Sequence, residues 1–266
     1  MNITDSRSYT ECFLQLANVL DLDENRDDYH SWRVAAVAYT MAKRIGSPNM
    51  LEIFWAGLLH DIGAYGYNDF SISTSESLSN FERTKIQNHS IRSHDIIINE
   101  LPGEVHKVAE FVKYHHEKYD GSGFPEGLAG NDIPFCSQII KVADDFDIAL
   151  RVNPKLPKET IYKLFTENID REYSNEIISL FIDTMEHDNF FRQIELEAQV
   201  PEYIKKIMES LPAYRMFLET DLLERITAVF AHIIDAKHEE TLGHSGRVAY
   251  YSHRMSEHLN LSVRDR

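Results

Sequence analysis

Five histidines and two aspartates carry the chemistry this chain offers. His60 and Asp61 close an apolar stretch, IFWAGLLHDIG. Such a position turns at least one of the two side chains toward an interior, and a carboxylate taken out of water needs a counter-charge or a metal. A solvated surface pair is the plain alternative, and the apolar run argues for the metal. His30 opens HSWRVAAVAYTMAKR, where alone it reads as a helix-start histidine. Asp144 sits within the apolar IIKVADDFDIAL; Asp147 lies one helical turn on, while Asp145 points elsewhere. His30, His60, Asp61 and Asp144 together offer two imidazoles and two carboxylates. That mixture suits iron or manganese better than a structural zinc site, which usually draws on cysteine.

His115 and His116 are a second pair. Adjacent helical residues diverge by about 100°. Both can therefore meet one metal cluster only where it lies between their directions, or where the helix ends, and Asp120-Gly121 just beyond supplies an end. A solvated histidine pair is the alternative. With His89 they could hold a second metal, Asp61 bridging to the first. Two divalent ions a few ångströms apart activate a water as nucleophile and stabilise phosphoryl charge during in-line displacement. Competing machinery is missing from the sequence: no Walker A loop, no GxGxxG after a strand, no GxSxG elbow.

The elements that position these residues read as helices. Helical spacing runs over 8–20, 30–46, 49–63, 81–101, 103–119 and 135–150, with two or three further helices over 159–220 broken near Pro201 and Pro212. Residues 66–80 are serine-rich and loop-like, and DGSGFPEGLAGNDIP packs four glycines and two prolines into fifteen residues. No strand alternation is visible, so the expectation is an all-α fold. The 266 residues, 43% of them hydrophobic, suffice for one large domain or two modest ones. A formal charge of −16 repels DNA and RNA polymers, yet bound cations can reverse the sign of a small pocket. Two cysteines without metal or disulfide spacing fit a reducing compartment. No signal peptide and no apolar run of about 20 residues is seen, so a cytoplasmic protein without a membrane partner is expected, with a homodimer as a permitted assembly.

One repeat stands out. Residues 232–255, HIIDAKHEETLGHSGRVAYYSHRM, match 18–41, NVLDLDENRDDYHSWRVAAVAYTM, without a gap and at an offset of 214 residues. Asp21 aligns with Asp235, His30 with His244 and Ser31 with Ser245. The expected organisation is a catalytic domain over 1–195, a linker helix over 196–221, and the N-terminal part of a second, similar domain over 222–266.

The order His30, His60-Asp61, His89, His115-His116, Asp144 resembles the HD-GYP domain, a branch of the HD phosphohydrolases. The stretch HHEKYDGSGFPEGLAGNDIP carries most of the likeness, flanked by LLHDIG, ERTKIQNH, VADDFDIAL and the paired openings HSWRV and HSGRV. The resemblance covers roughly residues 14–190, with a second opening at 222–266. It implies an HD-type helical bundle and a bi- or trinuclear iron or manganese centre, here two ions on His30, His60, Asp61, His89, His115, His116 and Asp144. It also implies hydrolysis of a 3′,5′-cyclic dinucleotide, cyclic di-GMP or the mixed guanine–adenine one, with Asp61 and His60 as catalytic residues. Gly121, Gly123, Phe124 and Pro125 would shape the substrate pocket, and Asp147 and Arg151 would contact substrate. The chain departs from the family at four places: Phe124 replaces the usual Tyr, Ala64 the usual phosphate-binding Lys, Arg26 the Glu of trinuclear members, and the arginine-containing tail reads ALRVNPKLPKE. In that tail Arg151 and Lys155 could substitute as phosphate contacts. The second opening retains the Glu, as Glu240. These departures define the other expectation, a catalytically weak metal- or nucleotide-binding domain that regulates the second copy.

Overall fold

The computed structural model describes residues 6–23, 29–64, 80–211, 222–236 and 243–259. Within them every regular element is a helix, apart from two isolated β-bridges, Asp120 with Ala129 and Ile169 with Tyr173. The all-α expectation holds. In chain order the helices are α1 (Ser6–Asp23), α2 (His30–Arg44), α3 (Met50–Leu59), α4 (Asn80–Glu100), α5 (His106–Lys113), α6 (Phe135–Val152), α7 (Lys158–Thr166), α8 (Asn175–Glu186), α9 (Phe190–Ile194), α10 (Val200–Ser210), α11 (Leu222–Ala236) and α12 (His244–His258).

The centre of the bundle is α2. Its alanine-rich middle, Val34 to Ala38, is fully buried, because small side chains let neighbours close in from several directions. The closest is α3: a Cβ on Gly57 would lie 2.5 Å from the Ala35 Cα, so only glycine permits that crossing. Across α2, α6 packs on another face, and α1 covers both α2 and α3. That cover is aromatic. Tyr9, Phe13 and Trp55 form a buried cluster with ring centroids 5.6–6.3 Å apart, and the Trp55 indole N–H donates to Thr10 Oγ1 at 2.8 Å. The start of α2 is fixed by α1: the Asp21 carboxylate accepts from the Ser31 amide at 3.1 Å and its hydroxyl at 2.7 Å. This locks the residue next to His30.

Several boundaries differ from the sequence expectation. The helix expected over 103–119 stops at Lys113, so His115 and His116 occupy the turn that follows it. Two or three helices were expected over 159–220, and four lie within Lys158–Ser210. Pro201 stands in the first turn of α10, where its missing N–H costs nothing. Over the expected linker 196–221, α10 buries Val200, Ile204 and Ile207 and packs on α2 and α9; it is part of the bundle's packing. Residues 66–79 of the serine-rich loop, residues 212–221, and the positions of Arg26 and Glu240 fall outside the described residues, while Asn80 already opens α4. No described helix is long and apolar enough to cross a membrane.

Candidate metal centre

The turn after α3 presents His60 and Asp61, and α4 is pinned against that turn. Ser93 Oγ donates to the His60 carbonyl at 2.8 Å and accepts the Gly63 amide at 2.8 Å. A Cβ on Gly63 would overlap the His89 carbonyl and the Ser93 nitrogen. The glycine of HDIG thus lets α4 approach closely enough to bring His89 to Asp61. From the other side α2 contributes His30, α6 contributes Asp144, and the turn after α5 contributes His115 and His116.

These side chains converge in two groups. His30, His60 and Asp144 form one, and Asp61, His89, His115 and His116 the other; within each, the potential ligand atoms lie within 4.8 Å of one another. Asp61 stands between them. Its Oδ2 is 3.6 Å from His30 Nε2 and 3.4 Å from His60 Nε2, and its Oδ1 is 3.2 Å from His89 Nε2. All seven residues named from sequence come together.

The donor set fits divalent metal ions. His60 donates Nδ1–H to the Gly57 carbonyl at 2.9 Å, and His115 to the Val112 carbonyl at 2.5 Å. His30 gives its Nδ1 to Asp147 at 2.6 Å. With Nδ1 protonated and anchored, the bare Nε2 faces inward, the arrangement that second-shell partners impose on metal-binding imidazoles. The inward nitrogens crowd one another: His30 to His60 at 3.2 Å, His89 to His116 at 3.0 Å, His89 to His115 at 3.4 Å. A metal ion between such nitrogens would take the place of a proton shared by each pair. Asp61 Oδ1 is buried and makes no hydrogen bond, which again calls for a cation.

The electrostatics agree. Burial, helped by the neighbouring imidazoles, holds His115 and His116 well below the usual histidine range, so both are neutral and ligand-ready. Asp61 is held well below the usual carboxylate range: burial opposes this, and His60, His30 and His89 outweigh it. Burial pushes Asp144 up to about 6 against the pull of His60 and His30. An Asp144 proton must therefore leave before a metal can bind. Asp147 holds His30 above the usual histidine range, so a His30 proton must leave as well. Apparent metal affinity is therefore expected to fall already above pH 6 and more steeply, by about a further tenfold per unit, below it, measured by metal titration in weakly coordinating buffers. A slope that does not steepen between pH 7 and 5 would remove Asp144 from the ligand set.

Asp147 lies elsewhere than expected. Fully buried, it pairs with His30, with Arg33 and, at 2.6 Å, with Arg151 Nε. Burial opposes its ionisation, but His30, Arg151 and Arg33 hold it well below the usual range. In return its charge and hydrogen bond hold His30 well above the usual histidine range, despite burial. Arg33 was not singled out in the sequence, although the RV of HSWRV marks it. In the loop, Gly121 has φ +81°, open to glycine, and the Phe124 ring lies 4.7 Å from that of His116. Lys155 is exposed, and its backbone amide donates to Asn153 Oδ1 at 3.3 Å. Cys12 and Cys136 lie outside both donor groups.

Residues 14–163 match the model of the HD domain family. The chain belongs to that family. Among curated relatives, this HD domain chain is 29% identical over 184 residues to a cyclic di-GMP phosphodiesterase of Thermotoga maritima, covering 65% of this chain and 50% of that protein. It is 33% identical over 141 residues to 3′3′-cGAMP-specific phosphodiesterase 1 of Vibrio cholerae, covering 52% of this chain and 32% of that one. The HD domain chain thus spans half or less of the length of these relatives. The crystal structure of the V. cholerae cyclic GMP-AMP phosphodiesterase V-cGAP3 superposes over 97% of this chain and 67% of its own, with a TM-score of 0.71 at 22% identity, which extends the shared fold across nearly the whole chain.

Proposed function

We propose that this chain is an HD-GYP-type phosphodiesterase that hydrolyses a 3′,5′-cyclic dinucleotide, cyclic di-GMP or 3′,3′-cyclic GMP-AMP, to a linear dinucleotide. The observation that carries the proposal is Asp61 standing between two groups of inward-facing imidazoles, one oxygen toward each. The names of the curated relatives supply the substrate class. His30, His60 and Asp144 would hold one divalent ion, His89, His115 and His116 a second, with Asp61 bridging; the nitrogen and oxygen donors favour iron or manganese. When bound, such a pair activates water and offsets charge on a phosphoryl oxygen.

The chain's own residues do the rest. The Gly57 and Val112 carbonyls fix the His60 and His115 rings. Asp147, clamped by Arg33 and Arg151, acts behind His30 as its orienting carboxylate. Phe124 covers the outer side of His116 and offers a ring for a base. We place the protein in the cytoplasm.

A second reading is favoured by Ala64. It stands in the turn directly after Asp61, where a lysine would meet a phosphate, and the nearby Arg33 and Arg151 are engaged by Asp147. In this reading the domain binds metal and nucleotide weakly and regulates a second copy begun at residue 222. The repeated cap supports that copy: Asp235 accepts from the Ser245 amide at 2.8 Å and its hydroxyl at 2.7 Å, as Asp21 does from Ser31.

The deciding experiment is anaerobic metal analysis of the purified chain with assays on both cyclic dinucleotides, iron or manganese supplied. About two ions per chain and turnover are expected. Two ions without turnover would point to Ala64 and the regulatory reading, with Ala64→Lys as the next test; no bound metal would sink both. Light scattering on the same sample tests for a homodimer.

A further inference from the structure

Glu117 follows the His115-His116 pair and is 1% exposed. A carboxylate so placed must find donors, and it finds three in succession on the far limb of the glycine-rich loop. Its Oε1 accepts the amides of Glu126 at 2.8 Å and Gly127 at 3.0 Å, and its Oε2 accepts that of Leu128 at 3.1 Å. The neck of the loop is closed separately, by the Gly130 amide on the Tyr119 carbonyl at 2.9 Å. The near limb is braced from outside: the Tyr119 and Asp120 amides donate to the Glu172 and Arg171 carbonyls at 3.3 and 3.0 Å, and Lys118 pairs with Glu172 at 2.7 Å.

The tip of the loop rests on the ligand pair itself. The Phe124 amide donates to the His116 carbonyl at 3.3 Å, and Gly123 sits so close to the backbone of His116, Glu117 and Lys118 that no Cβ fits. These contacts bring the Phe124 ring against the His116 ring, tilted by 35°. The neck and the near limb have other tethers, whereas the three successive amides of residues 126–128 are gathered by the Glu117 carboxylate, with the Glu126 side chain held from outside by Lys113. If that carboxylate were lost, three amides would lack their acceptor and Phe124 would lose the limb that follows it.

We propose that Glu117 is a positioning residue: it fixes the register of residues 124–128 so that Phe124 stays over His116, and it thereby governs substrate affinity without taking part in metal binding. The substrate side of this proposal rests on the cyclic dinucleotide reading. The hydrogen-bond geometry separates it from a charge effect on His116. A glutamine keeps an oxygen for two of the three amides and fails only toward the third, whereas an alanine loses all three.

The test compares wild type, Glu117→Gln, Glu117→Ala and Phe124→Ala in the full chain loaded with manganese. It reads metal content, KM and kcat on cyclic di-GMP and 3′,3′-cyclic GMP-AMP, and amide hydrogen exchange at residues 126–128. Glu117→Ala should keep its metal, raise KM about tenfold or more with kcat within about threefold, and speed exchange at 126–128. Glu117→Gln should recover most of the wild-type KM, and Phe124→Ala should reproduce the KM rise with slow exchange retained. Metal loss in Glu117→Ala, a fall in kcat at constant KM, or a Gln variant as impaired as the Ala variant overturns the proposal. Should Glu117→Ala not fold, Phe124→Ala decides, an unchanged KM overturning it. If the wild type turns over neither nucleotide, the substrate reading fails by itself; exchange then judges the clamp, which falls if Glu117→Ala leaves residues 126–128 as protected as before.

Discussion

Asp61→Asn should lower turnover of a cyclic dinucleotide on the order of a thousandfold or more, close to 4 kcal/mol of transition-state stabilisation, and should lower metal content below that of wild type. The substitution keeps the size of the side chain and removes its charge and one anionic oxygen. At most positions that is mild. Here one oxygen faces His30 and His60 and the other faces His89, so the amide NH₂ must point at one set of nitrogen lone pairs. Either way one donor group loses its shared anion, and a donor hydrogen takes a place meant for a cation. The neighbouring Asp145 provides the control. Its carboxylate binds Lys141 at 3.0 Å and the Tyr173 hydroxyl at 2.8 Å, away from both donor groups, so Asp145→Asn should retain metal and most of its turnover. An Asp61→Asn enzyme with two ions and turnover within about tenfold of wild type would remove Asp61 from its bridging role.

How far this centre could be read from the sequence differs from residue to residue. His60-Asp61 were legible because an apolar run leads straight into them, and Asp144 because a carboxylate in an apolar helix stands out. His89 has no such local signal. It reaches the site because Gly63 admits α4, a tertiary approach that no spacing rule within α4 encodes. The adjacency of His115 and His116 posed a geometric problem as long as both were taken to be helical. The early end of α5 at Lys113 resolves it, since turn geometry lets both Nε2 atoms approach His89. Asp147 was misplaced toward the substrate for the opposite reason. Its helical register puts it beside Asp144, but only the packing of α2 against α6 reveals His30 and Arg33 as its partners.

The helices themselves were legible wherever burial is one-sided and periodic. Their ends were not: after α5 and between α7 and α8 the carbonyls of His116, Arg171 and Glu172 accept amides from the glycine-rich loop and its neck, and α8 to α10 divide at short local turns. Glu117 illustrates this. In sequence it is an acid after two histidines, and its three amide partners lie nine to eleven residues on. Only a closed loop brings them to it.

The largest effect on stability is expected at Trp55, remote from the chemistry. Trp55→Ala should destabilise the fold by about 3–5 kcal/mol, a large part of the 5–15 kcal/mol that holds a typical domain together. The indole is 2% exposed, stacked at 25° on Tyr9 and edge-on to Phe13. Truncation leaves a cavity too deep in the α1–α3 contact for one side chain to fill, and it strips the buried Thr10 hydroxyl of the indole donor, leaving it the Ser6 carbonyl. The consequence for the site follows from topology. Trp55 lies on the helix that ends at His60, and the α1 it holds in place carries the Asp21 that caps α2 beside His30. Loosening α1 therefore loosens His30 and His60 together while leaving His89, His115 and His116 on α4 and the α5 turn. Urea denaturation should show the lost stability. Metal titration of the still-folded variant should show the ion held by His30, His60 and Asp144 weakened more than the other. Equal weakening of both would mean that the α1–α3 contact stabilises the bundle as a whole and gives His30 and His60 no particular support.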